Sequence, residues 1–178
     1  MRWLFRGLAV LVLAAAAFAG LVALQPAEFR IVRTARIAAA PSAVFAQVND
    51  FHNWQAWSPW LALDPTAKTT FEGPAAGTGA GFGWSGNDKV GEGHMLVTDS
   101  KPSDLVRIKL DFVKPMAGTA MTDITFKPVG SETEVIWAMY GQNGFLGKAM
   151  CFFVNTDKMV GGDFERGLAN LKSVTEKG

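Results

Sequence analysis

Few polar side chains in this sequence could carry chemistry. The chain contains two histidines, His52 and His94, and one cysteine, Cys151. No cysteine or carboxylate cluster accompanies the histidines at the spacing of a zinc site, so the sequence predicts no metal and no cofactor. His94 lies in a predicted strand beside Glu92 and could act as a general base, although a lone histidine is more often a surface residue.

Asp157 is the acid whose position is most unusual. A helix predicted over residues 149–174 places one arc of apolar side chains toward the core: Met150, Phe153, Val160, Phe164, Leu168 and Leu171. Asp157 falls on this arc, where a dry carboxylate would have a raised pKa and could donate a proton or hold a ligand. Alternatively, Thr156 or Asp157 caps a helix that begins near Lys158.

Two glycines interrupt the same predicted helix. Gly161 and Gly162 each cost about 1 kcal/mol relative to alanine in a helix interior. We therefore expect either close packing against the sheet or a hinge at this point.

Aromatic side chains form the third group of candidates. The 13 phenylalanines and 6 tryptophans lie mostly outside the N-terminal segment and supply ample material for a core. A cavity for a hydrophobic ligand would use such side chains as its walls, and the alternative is that they only fill the core. The expected lining residues are Trp54, Trp57, Trp84, Trp137, Met139, Phe153, Val160 and Phe164.

These residues need a sheet and a helix to position them. Residues 29–37 alternate apolar and polar side chains, which predicts a strand, and Pro41 begins the first of two short helices before Ser58 and Pro59. Six more strands follow, separated by glycine, proline and asparagine turns. Their predicted ranges are 68–72, 80–85, 91–100, 105–113, 119–127 and 133–140. The sequence therefore predicts a seven-stranded antiparallel sheet of an α+β fold, curved around the C-terminal helix.

Three strings carry a resemblance to a known family: "AAPSAVFAQVNDFHNWQAWSPW", "KPMAGTA", and "GFLGKAM" followed by "DKMVGGDFERGLANLK". They resemble the START-related superfamily called SRPBCC, in its polyketide cyclase/dehydrase-like branch. The resemblance implies a helix-grip fold over residues 26–178, with a cavity between sheet and helix that the superfamily uses for lipids, sterols, hormones and polyketides.

Residues 1–25 predict a membrane anchor. The run from Gly7 to Leu24 has no charged residue and spans roughly 27 Å as a helix. A cleaved signal peptide is the alternative, because Ala17-Phe18-Ala19 has the form of a cleavage site. Arg2 and Arg6 favour a cytoplasmic N-terminus, whereas Arg30, Arg33 and Arg36 close behind the helix favour the opposite orientation. Because a short basic tail before an apolar run is typical of exported proteins, we expect a single-pass protein of a bacterial inner membrane with a periplasmic domain.

The net charge of the chain bears on nucleic-acid binding but does not indicate an oligomeric state. The formal net charge is +1 and no basic cluster lies beyond the first residues, so nothing indicates nucleic-acid binding.

Three functions remain open. The first is a membrane-tethered domain that binds a small hydrophobic molecule or lipid without catalysis. The second is a cyclase or dehydratase in which Asp157, His94 or Tyr140 handles protons. The third is an interaction module whose cavity is filled by its own side chains.

Overall fold

The computed structural model describes residues 2–177. It contains four α-helices: α1 (Arg2–Leu24), α2 (Pro41–Asn49), α3 (Phe145–Met150) and α4 (Thr156–Thr175). The seven strands are β1 (Glu28–Ile37), β2 (Lys68–Glu72), β3 (Gly81–Ser85), β4 (Glu92–Lys101), β5 (Leu105–Lys114), β6 (Gly118–Val129) and β7 (Glu132–Gln142). Two 3-10 helices, Phe51–Ala56 and Leu61–Leu63, connect α2 to β2.

The strands form one antiparallel sheet in the order β1-β7-β6-β5-β4-β3-β2. Strands β2 to β7 follow one another through short turns, and β1 completes the sheet by pairing with β7. The predicted α+β architecture is confirmed, with strand boundaries within about two residues. Alternation was the decisive signal, because successive side chains of a strand point to opposite faces.

One face of the sheet is apolar and carries the core. Ile31 and Ile37 of β1, Ile108 of β5 and Phe126 of β6 are all buried on it. Helix α4 packs against β1 through Phe164, Leu168 and Leu171, as its apolar periodicity predicts. The 3-10 helix Phe51–Ala56 and the following loop cover the same face of the sheet, where Phe51 contacts Phe82 of β3 and Trp57 contacts Trp137 of β7.

The predicted helix over residues 149–174 is wrong at its N-terminal end. Helix α3 stops at Met150, and α4 begins at Thr156 after a turn. Asn155 caps α4, because its side chain accepts a hydrogen bond from the backbone N–H of Lys158. Met150 and Phe153 are therefore exposed instead of sharing the buried arc of α4.

Helix α1 is apolar along almost its whole length. Its segment Phe5–Leu24 is long and apolar enough to cross a membrane. Near its end Val22 is fully buried, and the C-terminal turn of α1 leads directly into β1.

Candidate functional site

Five aromatic side chains occupy the interior between the sheet and α4. We call Trp54, Trp57, Trp60, Trp137 and Phe164 the aromatic cluster. Trp137 of β7 stacks on Phe164 of α4, with ring centroids 4.3 Å apart and an angle of 9° between the planes. The other three indoles meet Trp137 edge-on at 5.7 to 6.3 Å. Such offset and edge-on contacts favour a rigid apolar interior.

One indole N–H of the aromatic cluster lacks a partner. Trp54 donates to the Val48 carbonyl, Trp57 donates to the Gln47 carbonyl, and Trp60 donates to the Asp163 carboxylate, at 2.8, 3.2 and 3.1 Å. Trp137 is only 2% exposed, and its Nε1 finds no hydrogen-bond acceptor among residues 2–177. A buried unpaired donor costs about 1–3 kcal/mol, so this N–H is a place where a polar ligand atom would be favoured.

A charged side chain stands beside Trp137 on the same face of the sheet. Arg33 of β1 pairs with Trp137 in the strand register. Its guanidinium donates to the Asp157 carboxylate at 3.1 and 3.2 Å, to the Asp157 carbonyl at 3.1 Å, and to Glu165 at 2.7 Å. Arg33 therefore clamps the first turns of α4 onto β1.

The same clamp explains the state of Asp157. Its side chain is 62% exposed in the first turn of α4, and the hydrogen bond from Arg33 holds the pKa of Asp157 below its ordinary value, against a smaller effect of desolvation. Of the two sequence alternatives for Asp157, the dry carboxylate with a raised pKa is wrong, because α4 begins at Thr156 and leaves Asp157 at its surface. The alternative of a separate helix that begins near Lys158 is closer to the structure, except that the cap is Asn155 instead of Thr156 or Asp157.

A side cavity of about 220 Å³ lies between the 3-10 helix Phe51–Ala56 and the β2–β3 hairpin. Its walls include Phe51, Phe71 and the His52 ring, which stacks on Phe71 at 4.0 Å. The Phe51 ring also contacts the Trp54 ring, with centroids 5.3 Å apart, so Phe51 touches both the side cavity and the aromatic cluster. Its volume is below the roughly 300–1,000 Å³ usual for ligand pockets.

The other expected lining residues are spread more widely. Met139 is buried on β7 two residues after Trp137, and Val160 is half-buried on α4 against the core. Trp84 is half-buried on β3, where its N–H donates to the Val90 carbonyl at 3.2 Å. Phe153 is 79% exposed in the turn before α4 and lies outside the interior.

The structure does not bring the three proton-transfer candidates together. His94 on β4 and Tyr140 on β7 both lie on the face opposite the aromatic cluster, since their neighbours Met95 and Met139 face inward. Three strand spacings separate β4 from β7, about 14 Å. The Tyr140 hydroxyl donates to Asp123 at 3.3 Å, and His94 lies 3.8 Å from the Glu72 carboxylate.

A metal centre has no support in residues 2–177, where no three potential metal-ligating side chains gather. The exposed Cys151 lies at the end of α3.

Sequence reasoning missed Arg33 and the side cavity. Arg33 is an even number of residues from Phe29, Ile31 and Ala35 in β1, so its side chain lies on the same inward face. This spacing could have identified Arg33 as an inward-facing charge. The side cavity depends on His52 meeting Phe71 across 19 residues of chain, and no local pattern shows that contact.

A seven-stranded antiparallel sheet that carries a long C-terminal helix over an apolar interior defines the helix-grip class. The protein-family model described as "Polyketide cyclase / dehydrase and lipid transport" matches residues 28–176. The chain therefore belongs to this family, as the sequence resemblance predicted. No functionally curated protein matches the chain.

Solved structures share the fold at low identity. A protein from Chromobacterium violaceum is 15% identical with a TM-score of 0.58, and the match covers 85% of this chain and 99% of that one. Aha1 from Colwellia psychrerythraea, solved in solution as a dimer, is 17% identical with a TM-score of 0.56 and coverages of 83% and 96%. DynU16, from the dynemicin biosynthetic locus, is 13% identical with a TM-score of 0.57, covering 83% of this chain and 47% of its own. At these identities the likeness shows the fold alone.

Proposed function

We propose that this protein is a membrane-tethered helix-grip domain that binds a small hydrophobic molecule or lipid between the sheet and α4, without catalysing a reaction. The unpaired N–H of Trp137 inside the aromatic cluster is the observation that carries the proposal. An apolar interior with one oriented polar group is the usual composition of a small-molecule site. The preferred ligand is therefore apolar with one hydrogen-bond acceptor, such as a carbonyl, hydroxyl or carboxyl oxygen.

Room for this ligand would come from the side cavity. Rotation of the Phe51 ring would join the side cavity to the space around Trp54, because Phe51 contacts both. The expected lining residues Trp54, Trp57, Trp137, Met139, Val160 and Phe164 belong to this proposed site.

The tether is the apolar helix Phe5–Leu24, with residues 1–25 as the anchor and residues 26–178 as the binding domain. We place the domain in the periplasm of a bacterium.

Ser131, exposed in the β6–β7 turn, provides the test of this location in a variant that combines Ser131→Cys with Cys151→Ser. A membrane-impermeant maleimide should label this cysteine in cells whose outer membrane has been permeabilised. Labelling only after lysis would place the domain in the cytoplasm.

The aromatic cluster also supports a second candidate, an interaction module without a ligand. Trp57, Trp137 and Phe164 are each 2% exposed or less, so the protein's own side chains fill the space that a ligand would use. The two candidates differ in whether this interior accepts a hydrophobic molecule.

The test is a titration of the full chain in lipid nanodiscs with dansyl-undecanoic acid, exciting the dansyl group directly. Dodecanoic acid and dodecane then displace the probe. Trp137→Phe keeps the stacked ring and removes the N–H, so the affinity for dodecanoic acid should fall by about fivefold to tenfold, which corresponds to about 1–1.4 kcal/mol. The affinity for dodecane should not change.

Trp3→Phe is the control, because Trp3 is 83% exposed on α1 and far in sequence from the site. Both affinities should match those of the unaltered protein. Equal affinities of Trp137→Phe and the unaltered protein for dodecanoic acid would refute the role of the Trp137 N–H. Absence of probe uptake by the unaltered protein would favour the interaction module.

A further inference from the structure

A second apolar surface lies outside the proposed ligand site. Helix α3 and the turn after it expose five large apolar side chains within nine residues: Phe145, Leu146, Met150, Phe152 and Phe153. We call residues 145–153 the apolar wedge. Leu146 is 67% exposed, and contiguous apolar surface of this kind usually marks an interaction site.

The apolar wedge is continuous with the surface of α1. The Phe18 ring of α1 contacts Phe152 at 5.7 Å and Phe153 at 6.2 Å. Phe18 precedes the end of α1 at Leu24 by six residues, which is about 9 Å along a helix. Phe152 and Phe153 therefore lie beside the apolar part of α1 and not beside its end.

The single charge of the apolar wedge fits the same geometry. Lys148 donates from Nζ to the Ala23 carbonyl at 3.3 Å, which places its ammonium group at the C-terminal end of α1. A lysine at the membrane surface with aromatic rings about two helical turns deeper is the arrangement of an interfacial segment.

We propose that the apolar wedge inserts into the acyl-chain region of the membrane that α1 crosses. This inference rests on the proposed tether. The occupant is lipid, because the apolar wedge extends the apolar surface of α1 and its only charge is already directed to the end of that helix. Insertion would fix the orientation of the domain at two points, α1 and the apolar wedge. It would also turn the open groove of about 500 Å³ lined by residues 151–157 toward lipid.

The test measures depth in the bilayer with the full chain in phosphatidylcholine nanodiscs. Cys151→Ser removes the only native cysteine, and Phe153→Cys then carries an NBD fluorophore. Lipids with a nitroxide at the fifth acyl carbon should remove most of the NBD fluorescence. Leu146→Cys provides a second position on the apolar wedge, should Phe153→Cys fail to fold. Ser131→Cys, in the turn at the opposite end of β7, should keep its fluorescence.

Val12→Cys in the middle of α1, labelled in the same way, distinguishes failure of the insertion from failure of the tether. Quenching at residue 12 without quenching at residues 153 and 146 would overturn the insertion and leave the tether intact. Absence of quenching at all three positions would refute the tether as well. Blue-shifted but unquenched emission from residue 153 would show that protein covers the apolar wedge, for example a second copy of the chain, and would also overturn the proposal.

Discussion

Alanine should stabilise the protein at one of two adjacent glycines of α4 and not at the other. Gly162 has open space where a Cβ would lie. At Gly161 the Cβ would overlap the Arg33 guanidinium, with Nε at 2.8 Å and two further atoms closer. The sequence predicted close packing or a hinge at this pair, and the structure shows close packing at Gly161.

The magnitude follows from helix propensity and from this contact. Each alanine gains about 0.8–1 kcal/mol in a helix interior. For a chain of this length Gly162→Ala should therefore raise the melting temperature by about 2–4 °C. Gly161→Ala must displace the guanidinium from Asp157 and Glu165, so its melting temperature should be no higher than that of the unaltered protein.

Thermal unfolding of the full chain in nanodiscs, followed by circular dichroism, measures the difference. The double-mutant cycle with Arg33→Ala supplies the control, because Gly161→Ala should recover the gain of Gly162→Ala once the guanidinium is absent. Equal stabilisation by both alanines in the unaltered background would refute the packing of Arg33 against Gly161. A persistent cost in the Arg33→Ala background would locate the clash elsewhere.

Two further predictions concern the same helix. Phe164→Ala should lower the free energy of unfolding by about 3–5 kcal/mol, because Phe164 is 1% exposed and stacks on Trp137. An unchanged denaturant midpoint would show that this ring is not part of the core. Because Arg33 lowers the pKa of Asp157, the stability that this pair contributes is fully present above about pH 4 and is lost as the pH falls through the lower folded-state value. Between pH 4 and 2 the unaltered protein should therefore lose more stability than Asp157→Asn, and equal losses in a pH series of melts would contradict the ion pair.

The sequence was sufficient to predict the sheet, because alternation marks each strand directly. In β5, for example, Val106 and Ile108 are buried, while Arg107 and Lys109, each one residue further along the strand, are only half-buried. Short turns between successive strands then leave an antiparallel order as the simplest arrangement.

The start of the C-terminal helix could not be predicted in the same way. The apolar helical period continues across residues 149–160, but Asn155 satisfies the backbone of α4 and separates it from α3. Periodicity reports which face a continuous helix would bury, whereas capping decides where the helix begins. The error placed Phe153 in the interior and Asp157 on the buried arc.

The sequence also could not predict how the aromatic side chains of the interior contact one another. Periodicity indicates that Trp137 and Phe164 face inward, but it does not indicate whether they face a ligand or each other. The stacking of these rings and the unpaired Trp137 N–H depend on where α4 packs along β7. The alternation of β1 is enough to predict that Arg33 faces inward. It does not indicate the partners Asp157 and Glu165, which follow more than 120 residues later.

Native mass spectrometry of the full chain, purified from its own host and released gently from nanodiscs, tests the central claim most directly. We expect one apolar molecule with a hydrogen-bond acceptor to remain bound per chain, and its occupancy to fall in Trp137→Phe but not in Trp3→Phe. A chain that carries no such molecule, and that also fails to take up dodecanoic acid, would contradict ligand binding in the interior.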